Sequence, residues 1–112
     1  MSQNEDEDVS AFADELELHS KAIYELVADY MDDLEIPEAV IADVLLHLAV
    51  NMRMAAYVMQ AEKPSVGGLK LDLDRLRGEM DHLVRDSKKG ADGFIATART
   101  AIAEAEKEAR ED

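Results

Sequence analysis

The sequence predicts an all-α protein, an antiparallel bundle of three to four helices. Three observations support this fold class. Apolar residues recur every three or four positions through most of the chain, which is the spacing of one face of an α-helix. Two short segments, 32–37 and 63–68, interrupt this spacing with acidic residues, prolines and paired glycines. No stretch shows a run of β-branched and aromatic residues with a partner run, as paired strands would.

The first two helices are predicted at about 10–34 and 37–61. Ser10 is suited to cap the first helix, because a serine hydroxyl can accept from a free N–H of the first turn. Pro37 is suited to the first turn of the second helix, where its missing N–H removes no hydrogen bond. The link between them is short, so we expect the two helices to be antiparallel neighbours.

The rest of the chain is predicted to form helices at about 69–89 and 92–109. The alternation of leucine with charged residues after Gly68 has no partner strand, so it is interpreted as a helix entry with Asp72 as a candidate cap. Gly90 and Gly93 each cost about 1 kcal/mol relative to alanine inside a helix, which favours a break there. One long helix kinked at these glycines is the alternative.

The predicted domain organisation is simple. Residues 1–8 are expected to form a flexible acidic tail, residues 9–109 a single helical domain, and residues 110–112 a frayed end. The first ten residues have neither a cationic nor an apolar segment of the kind that a secretory signal requires. We therefore expect a cytoplasmic protein.

Composition excludes several chemistries. The 112 residues include no cysteine, which excludes disulfides, thiolate metal sites and cysteine nucleophiles. There are 26 acidic and 12 basic residues, a formal net charge of −14. Such a charge repels phosphate backbones and anionic lipid, so neither a nucleic acid nor a membrane is an expected partner. It would instead attract a basic protein.

The second helix is apolar around most of its circumference. Its polar side chains Asp43, His47 and Asn51 fall on one narrow stripe. A bilayer span is disfavoured, because Asp43 and Arg53 would each cost about 2.5–3.5 kcal/mol near its centre. Burial of each large apolar side chain contributes about 1.5–3 kcal/mol, so the helix needs more cover than two or three small neighbours provide. The sequence predicts a homodimer whose interface includes one stripe of this helix: Val44, Leu48, Met52, Ala55 and Met59. Complete enclosure within one chain is the alternative.

One spacing suggests a metal site. Glu79 and His82 are three residues apart and share a helix face. Antiparallel packing of the second and third helices would place Asn51 opposite Glu79, and His47 opposite His82 or Leu83. This Glu-x-x-His spacing is similar to the half-motif of ferritin-like di-iron bundles. The resemblance implies a carboxylate–histidine site for iron, manganese or zinc, in an oxidoreductase or a metal store.

No set of residues suggests a catalytic nucleophile, and no glycine-rich loop has the lysine of a phosphate-binding motif. The leading hypothesis is therefore a small acidic helical interaction or regulatory protein without catalytic activity. The metal-binding bundle is the alternative function. A small carrier with a ligand in its methionine-lined core is a third hypothesis, which the sequence leaves open.

Overall fold

The computed structural model describes the backbone of residues 2 to 111 and the side chains of residues 10 to 111. Within residues 2 to 111 it contains helices and turns and no strand, so the predicted all-α fold class is confirmed. The four helices are α1 (Ser2–Leu34), α2 (Glu38–Gln60), α3 (Val66–Lys89) and α4 (Ala91–Glu111). The chain therefore breaks at Gly90, as the glycine pair predicts, and α3 and α4 are separate helices.

Helix α1 begins at Ser2, eight residues before the predicted cap at Ser10. The sequence has four acidic residues at positions 5 to 8, and acidic residue types favour the N-terminal end of a helix, which is a sequence reason for an earlier start. Met1 and Asp112, the ends of the predicted mobile tail and frayed end, lie outside the described residues, and the mobility of both ends stays a prediction.

The turn between α1 and α2 closes with two sets of backbone hydrogen bonds. Glu35 has a left-handed backbone (φ 54°), and the N–H of Ile36 donates to the carbonyl oxygen of Met31 at 3.0 Å. This is the pattern in which a left-handed residue ends a helix. The carbonyl of Pro37 then accepts from the N–H groups of Val40 and Ile41, so α2 starts within one residue of its predicted position.

Contacts divide the chain into two compact units, Met1–Ala49 and Val50–Asp112, and each is described by itself. The first unit contains α1 and the first half of α2. Ile41 is its one buried apolar side chain among those described, at 8% exposure, and Val27 on α1 is half-buried. The organisation of residues 9–109 as one domain stays a prediction.

The second unit contains the last part of α2 with α3 and α4. Contact between α2 and α3 half-buries apolar or aromatic side chains on both helices: Met54, Ala56 and Tyr57 on α2, and Leu69, Leu73, Leu76 and Met80 on α3. Helix α3 ends where the N–H of Gly90 donates to the carbonyl of Asp86 at 3.3 Å, and α4 contacts α3. No described side chain of this unit is fully buried.

Helix α3 is capped by Ser65 and begins at Val66, three residues before its predicted start, so the predicted cap at Asp72 is wrong. The Oγ of Ser65 accepts from the N–H of Gly68 at 3.0 Å, with the backbone of Ser65 extended. Gly67 and Gly68 therefore lie in the first helical turn. The first-turn N–H groups have no partner within the helix, so a serine in the capping position outweighs the usual helix-breaking effect of the glycines.

Tyr57 of α2 contacts Ser65 and Gly68 at the turn between α2 and α3, and we call this pair of contacts the tyrosine lock. The hydroxyl of Tyr57 accepts from the N–H of Ser65 at 3.2 Å, and the ring lies directly over Gly68. A Cβ atom added at Gly68 would overlap the Tyr57 hydroxyl and approach its Cζ to 2.9 Å. A Cβ atom at Gly67 would meet no atom within 4 Å.

We expect Gly68→Ala to lower the stability of the second unit by about 1–3 kcal/mol, because the added methyl group displaces the Tyr57 ring and breaks its hydrogen bond. Gly67→Ala is the matched control, and it should be neutral or stabilise by up to about 1 kcal/mol through helix propensity. Urea unfolding followed by circular dichroism measures both. Equal effects of the two substitutions would contradict the tyrosine lock.

Candidate functional site

Helix α2 is left largely uncovered by its own chain. The stripe predicted as an interface is exposed: Val44 at 46%, Leu48 at 45%, Met52 at 68% and Met59 at 86%, with Ala55 exposed as well. Among the described residues, Ile41 is the one buried side chain of the helix. The structure thus agrees with the premise of the interface prediction, while the interface itself stays a prediction.

In the first unit, α1 and α2 form an open apolar groove. One part of it has a volume of about 320 Å³, and both helices contribute apolar or aromatic walls. The walls are Ile23, Leu26, Val27 and Tyr30 on α1, and Ile41, Val44, Leu45 and Leu48 on α2. The wall residues of α1 lie as many positions before the turn as those of α2 lie after it, as in a helical hairpin.

A second hollow of about 430 Å³ extends the groove toward the start of α1. It shares Ile23, Val27 and Leu45 with the first and adds Leu16 and His19. His19 is exposed, and its Nε2 lies 3.6 Å from a carboxylate oxygen of Glu15. His19 thus lies at the rim of an open groove.

In the second unit, the uncovered stripe of α2 lies away from α3. Arg53 and Tyr57 contact α3, and they are four residues apart on one face. At 100° per residue, Met52, Ala55 and Met59 fall on the opposite face of the helix. This face is the continuation of the side of α2 that carries Val44 and Leu48.

A charged cluster joins α2 to α3. The guanidinium of Arg53 donates to both carboxylate oxygens of Asp72, from Nε at 3.0 Å and from Nη2 at 3.3 Å. It also donates to both oxygens of Glu79, at 3.1 and 3.4 Å. Asp72 and Glu79 are seven residues apart, or two helical turns, so one face of α3 presents both carboxylates to a single cation. We call these three residues the arginine cluster.

The arginine cluster changes the acidity of its members. The hydrogen bond from Arg53 holds the pKa of the Asp72 carboxyl below its ordinary value. The hydrogen bonds to Asp72 and then to Glu79 raise the pKa of the Arg53 guanidinium further. Both shifts favour the charged forms, so the cluster is an ion pair at neutral pH.

The contribution of the Arg53–Asp72 pair to stability should be lost in acid. Because the pKa of Asp72 is lower in the folded chain than its ordinary value of 3.8, the stabilisation is complete above that value and disappears as the pH falls through the folded pKa. We expect Arg53→Met to lower the melting temperature at about pH 6 and to lower it less at about pH 2, where Asp72 is more protonated.

Arg77→Met is the control for this prediction, because Arg77 is exposed and pairs with Asp74 of its own helix. Thermal unfolding of both variants at the two pH values gives the comparison. A melting-temperature difference for Arg53→Met that does not shrink in acid would contradict the assignment of the effect to Asp72.

Two of the three predicted metal ligands, His47 and Glu79, form hydrogen bonds with other groups. The Nδ1–H of His47 donates to the backbone carbonyl of Asp43 at 2.7 Å. Glu79 faces Arg53 rather than the polar stripe of α2, and His82 is exposed. Among the described side chains, no group of three or more histidines and carboxylates is placed to hold a metal ion. Binding of iron, manganese or zinc stays a prediction.

By length and composition, one helix of the described residues could cross a membrane. It is α2, whose most apolar 18-residue window has a mean hydropathy of 1.5. The same helix carries Arg53, which is bound to two carboxylates of α3.

Comparisons of this chain with protein-family models, with curated proteins and with solved structures give no match.

Proposed function

We propose that the protein is a small acidic interaction protein without catalytic activity, which acts as a cytoplasmic homodimer joined through α2. The observation that carries this proposal is the exposure of α2. A helix that is apolar on most sides is largely exposed, with Ile41 as its one buried side chain among the described residues. Uncovered apolar surface of this extent is characteristic of an interaction site.

The exposure within each unit supports association. In the first unit, Val44 and Leu45 of α2 are 46% and 41% exposed. In the second unit, Met52 and Met59 of α2 are 68% and 86% exposed. Contiguous exposed apolar side chains of this kind mark interaction surfaces.

Association is a better account of α2 than insertion into a bilayer. Arg53 is held by Asp72 and Glu79, and both carboxylates belong to the charged helix α3. A bilayer position for α2 would either break these ion pairs or bring the carboxylates into hydrocarbon, and both are costly. A second copy of the chain covers the apolar surface and leaves the arginine cluster intact.

The acidic surface supports a basic partner for the dimer. The charge of −14 per chain is carried by carboxylates on all four helices. A dimer doubles this charge on one body, which strengthens the attraction for a cationic protein segment and accelerates its association at low salt.

Native mass spectrometry and sedimentation equilibrium test the dimer. At about 10 μM protein and moderate salt we expect twice the chain mass of 12.4 kDa, with no additional metal mass. A monomer at this concentration would overturn the proposal. A stoichiometric iron, manganese or zinc adduct would favour the metal-binding alternative.

Titration with a fluorescent octalysine peptide tests the acidic surface, with octaglutamate as the control probe. We expect octalysine to bind at low salt and to be released as the salt concentration rises, because screening weakens exposed charge pairs. No difference between the two peptides would contradict a role in binding basic partners.

A further inference from the structure

We infer that the groove between α1 and α2 of one copy receives α2 of a second copy, so that the dimer core is built from two α1–α2 hairpins. This inference rests on the proposed homodimer and names the surface that forms it. The carrying observation is a long apolar groove in the first unit, with walls from both helices and no side chain of that unit filling it.

The size of the groove suits a helix. It extends along α1 from Leu16 to Tyr30, a rise of about 21 Å or roughly four helical turns. Its walls are almost entirely apolar, with His19 and Ser20 as the polar members of the α1 side. Binding of an apolar helix in a groove between two others is a common recognition mode.

The distribution of carboxylates along the chain identifies the occupant. A carboxylate buried against the apolar walls of the groove would lose its hydration without gaining a partner, so the occupant has to be a segment without acidic side chains. Residues 44–61 contain no aspartate or glutamate, and the next longest stretch without a carboxylate, 93–103, is much shorter. Within 44–61 the one permanently charged side chain is Arg53. The part of α2 from Val44 onward is therefore the segment of the chain best suited to this groove.

A two-fold arrangement fills the groove of both copies at once. If α2 of each copy lies in the groove of the other, the same residues form both halves of the interface, as in other symmetric dimers. The two α1 helices then lie outside the paired α2 helices. The four helices together resemble a bundle in which apolar faces meet at a common core.

Two leucines of α1 provide a matched test. Leu26 lines the groove and Leu18 does not, although their side chains are about equally exposed in the single chain, at 70% and 66%. We expect Leu26→Glu to weaken dimerisation by about 100-fold or more, because the carboxylate would be desolvated in the interface. Leu18→Glu should leave the dissociation constant within about threefold of the original.

A second measurement does not require a disruptive charge. The chain has no cysteine, so Leu26→Cys and Leu18→Cys each introduce a unique thiol. We expect alkylation by iodoacetamide to be about tenfold slower at Leu26→Cys above the dissociation constant, and equal at the two positions when the protein is diluted to monomer.

The outcomes separate the inference from the proposed function. A dimer in which both glutamate variants behave alike, or in which both thiols react equally fast, would overturn the groove assignment and leave the homodimer standing. A chain that is monomeric before substitution would overturn both. Circular dichroism of each variant shows whether the helices are retained.

Discussion

Raising the salt concentration from about 0.01 M to about 1 M is expected to tighten self-association at least 1,000-fold, which is roughly 4.1 kcal/mol. Two bodies of charge −14 whose centres are about 30 Å apart repel by about 27 kcal/mol in water without screening. The Debye length falls from about 30 Å to about 3 Å over this range, so the repulsion falls from about 10 kcal/mol to almost nothing. Sedimentation equilibrium at several salt concentrations measures the dissociation constant.

A charge-reduced variant controls this experiment. Replacing Glu104, Glu106 and Glu108 of α4 with glutamine removes three exposed carboxylates and changes the net charge from −14 to −11. Because the repulsion scales with the product of the two charges, the salt dependence should weaken by about 40%. Dissociation of the dimer by added salt would show instead that charge pairs hold the two copies together.

Replacing Leu48 with glutamate is expected to abolish the dimer at micromolar concentration. Leu48 lines the groove and belongs to the predicted interface stripe, and it is 45% exposed in the single chain. An unpaired carboxylate in an apolar interface costs several kcal/mol, and a two-fold dimer would contain two of them. We therefore expect the dissociation constant to rise by at least about 1,000-fold, measured by sedimentation.

Leu48→Lys is the control that separates burial from net charge. Lysine makes the chain less acidic, so repulsion between copies decreases, yet an ammonium group is as costly as a carboxylate in an apolar interface. We expect both variants to be monomeric. If Leu48→Lys dimerises more tightly than the original chain while Leu48→Glu dissociates, net charge and not apolar burial controls association.

The arginine cluster shows where reasoning from the sequence reached its limit. Antiparallel packing of the second and third helices was predicted, but Glu79 was expected to face Asn51, and it binds Arg53. A difference of two residues along a helix rotates a side chain by about 200°, which moves it to another face. One signal in the sequence could have identified the pair: Arg53 is the single permanent cation in a long carboxylate-free segment, and Asp72 and Glu79 are two turns apart.

The sequence alone determined the all-α class and both ends of α2 to within one residue, and it favoured the break at Gly90 over one kinked helix. It also predicted that α2 carries more apolar surface than two or three small neighbours cover. These features depend on residues close to one another in the sequence: the helical spacing of apolar residues, the positions of proline and glycine, and the number of apolar side chains in α2.

Only the tertiary structure decided which residues meet across helices. The Tyr57 lock over Gly68, the partners of Arg53 and the groove between α1 and α2 each depend on the register and distance between two helices. That register follows from turn geometry, such as the cap at Ser65 in place of Asp72. Many turns are compatible with the same periodic pattern, so the pattern specifies the helices and leaves their mutual positions to the turns and the packing.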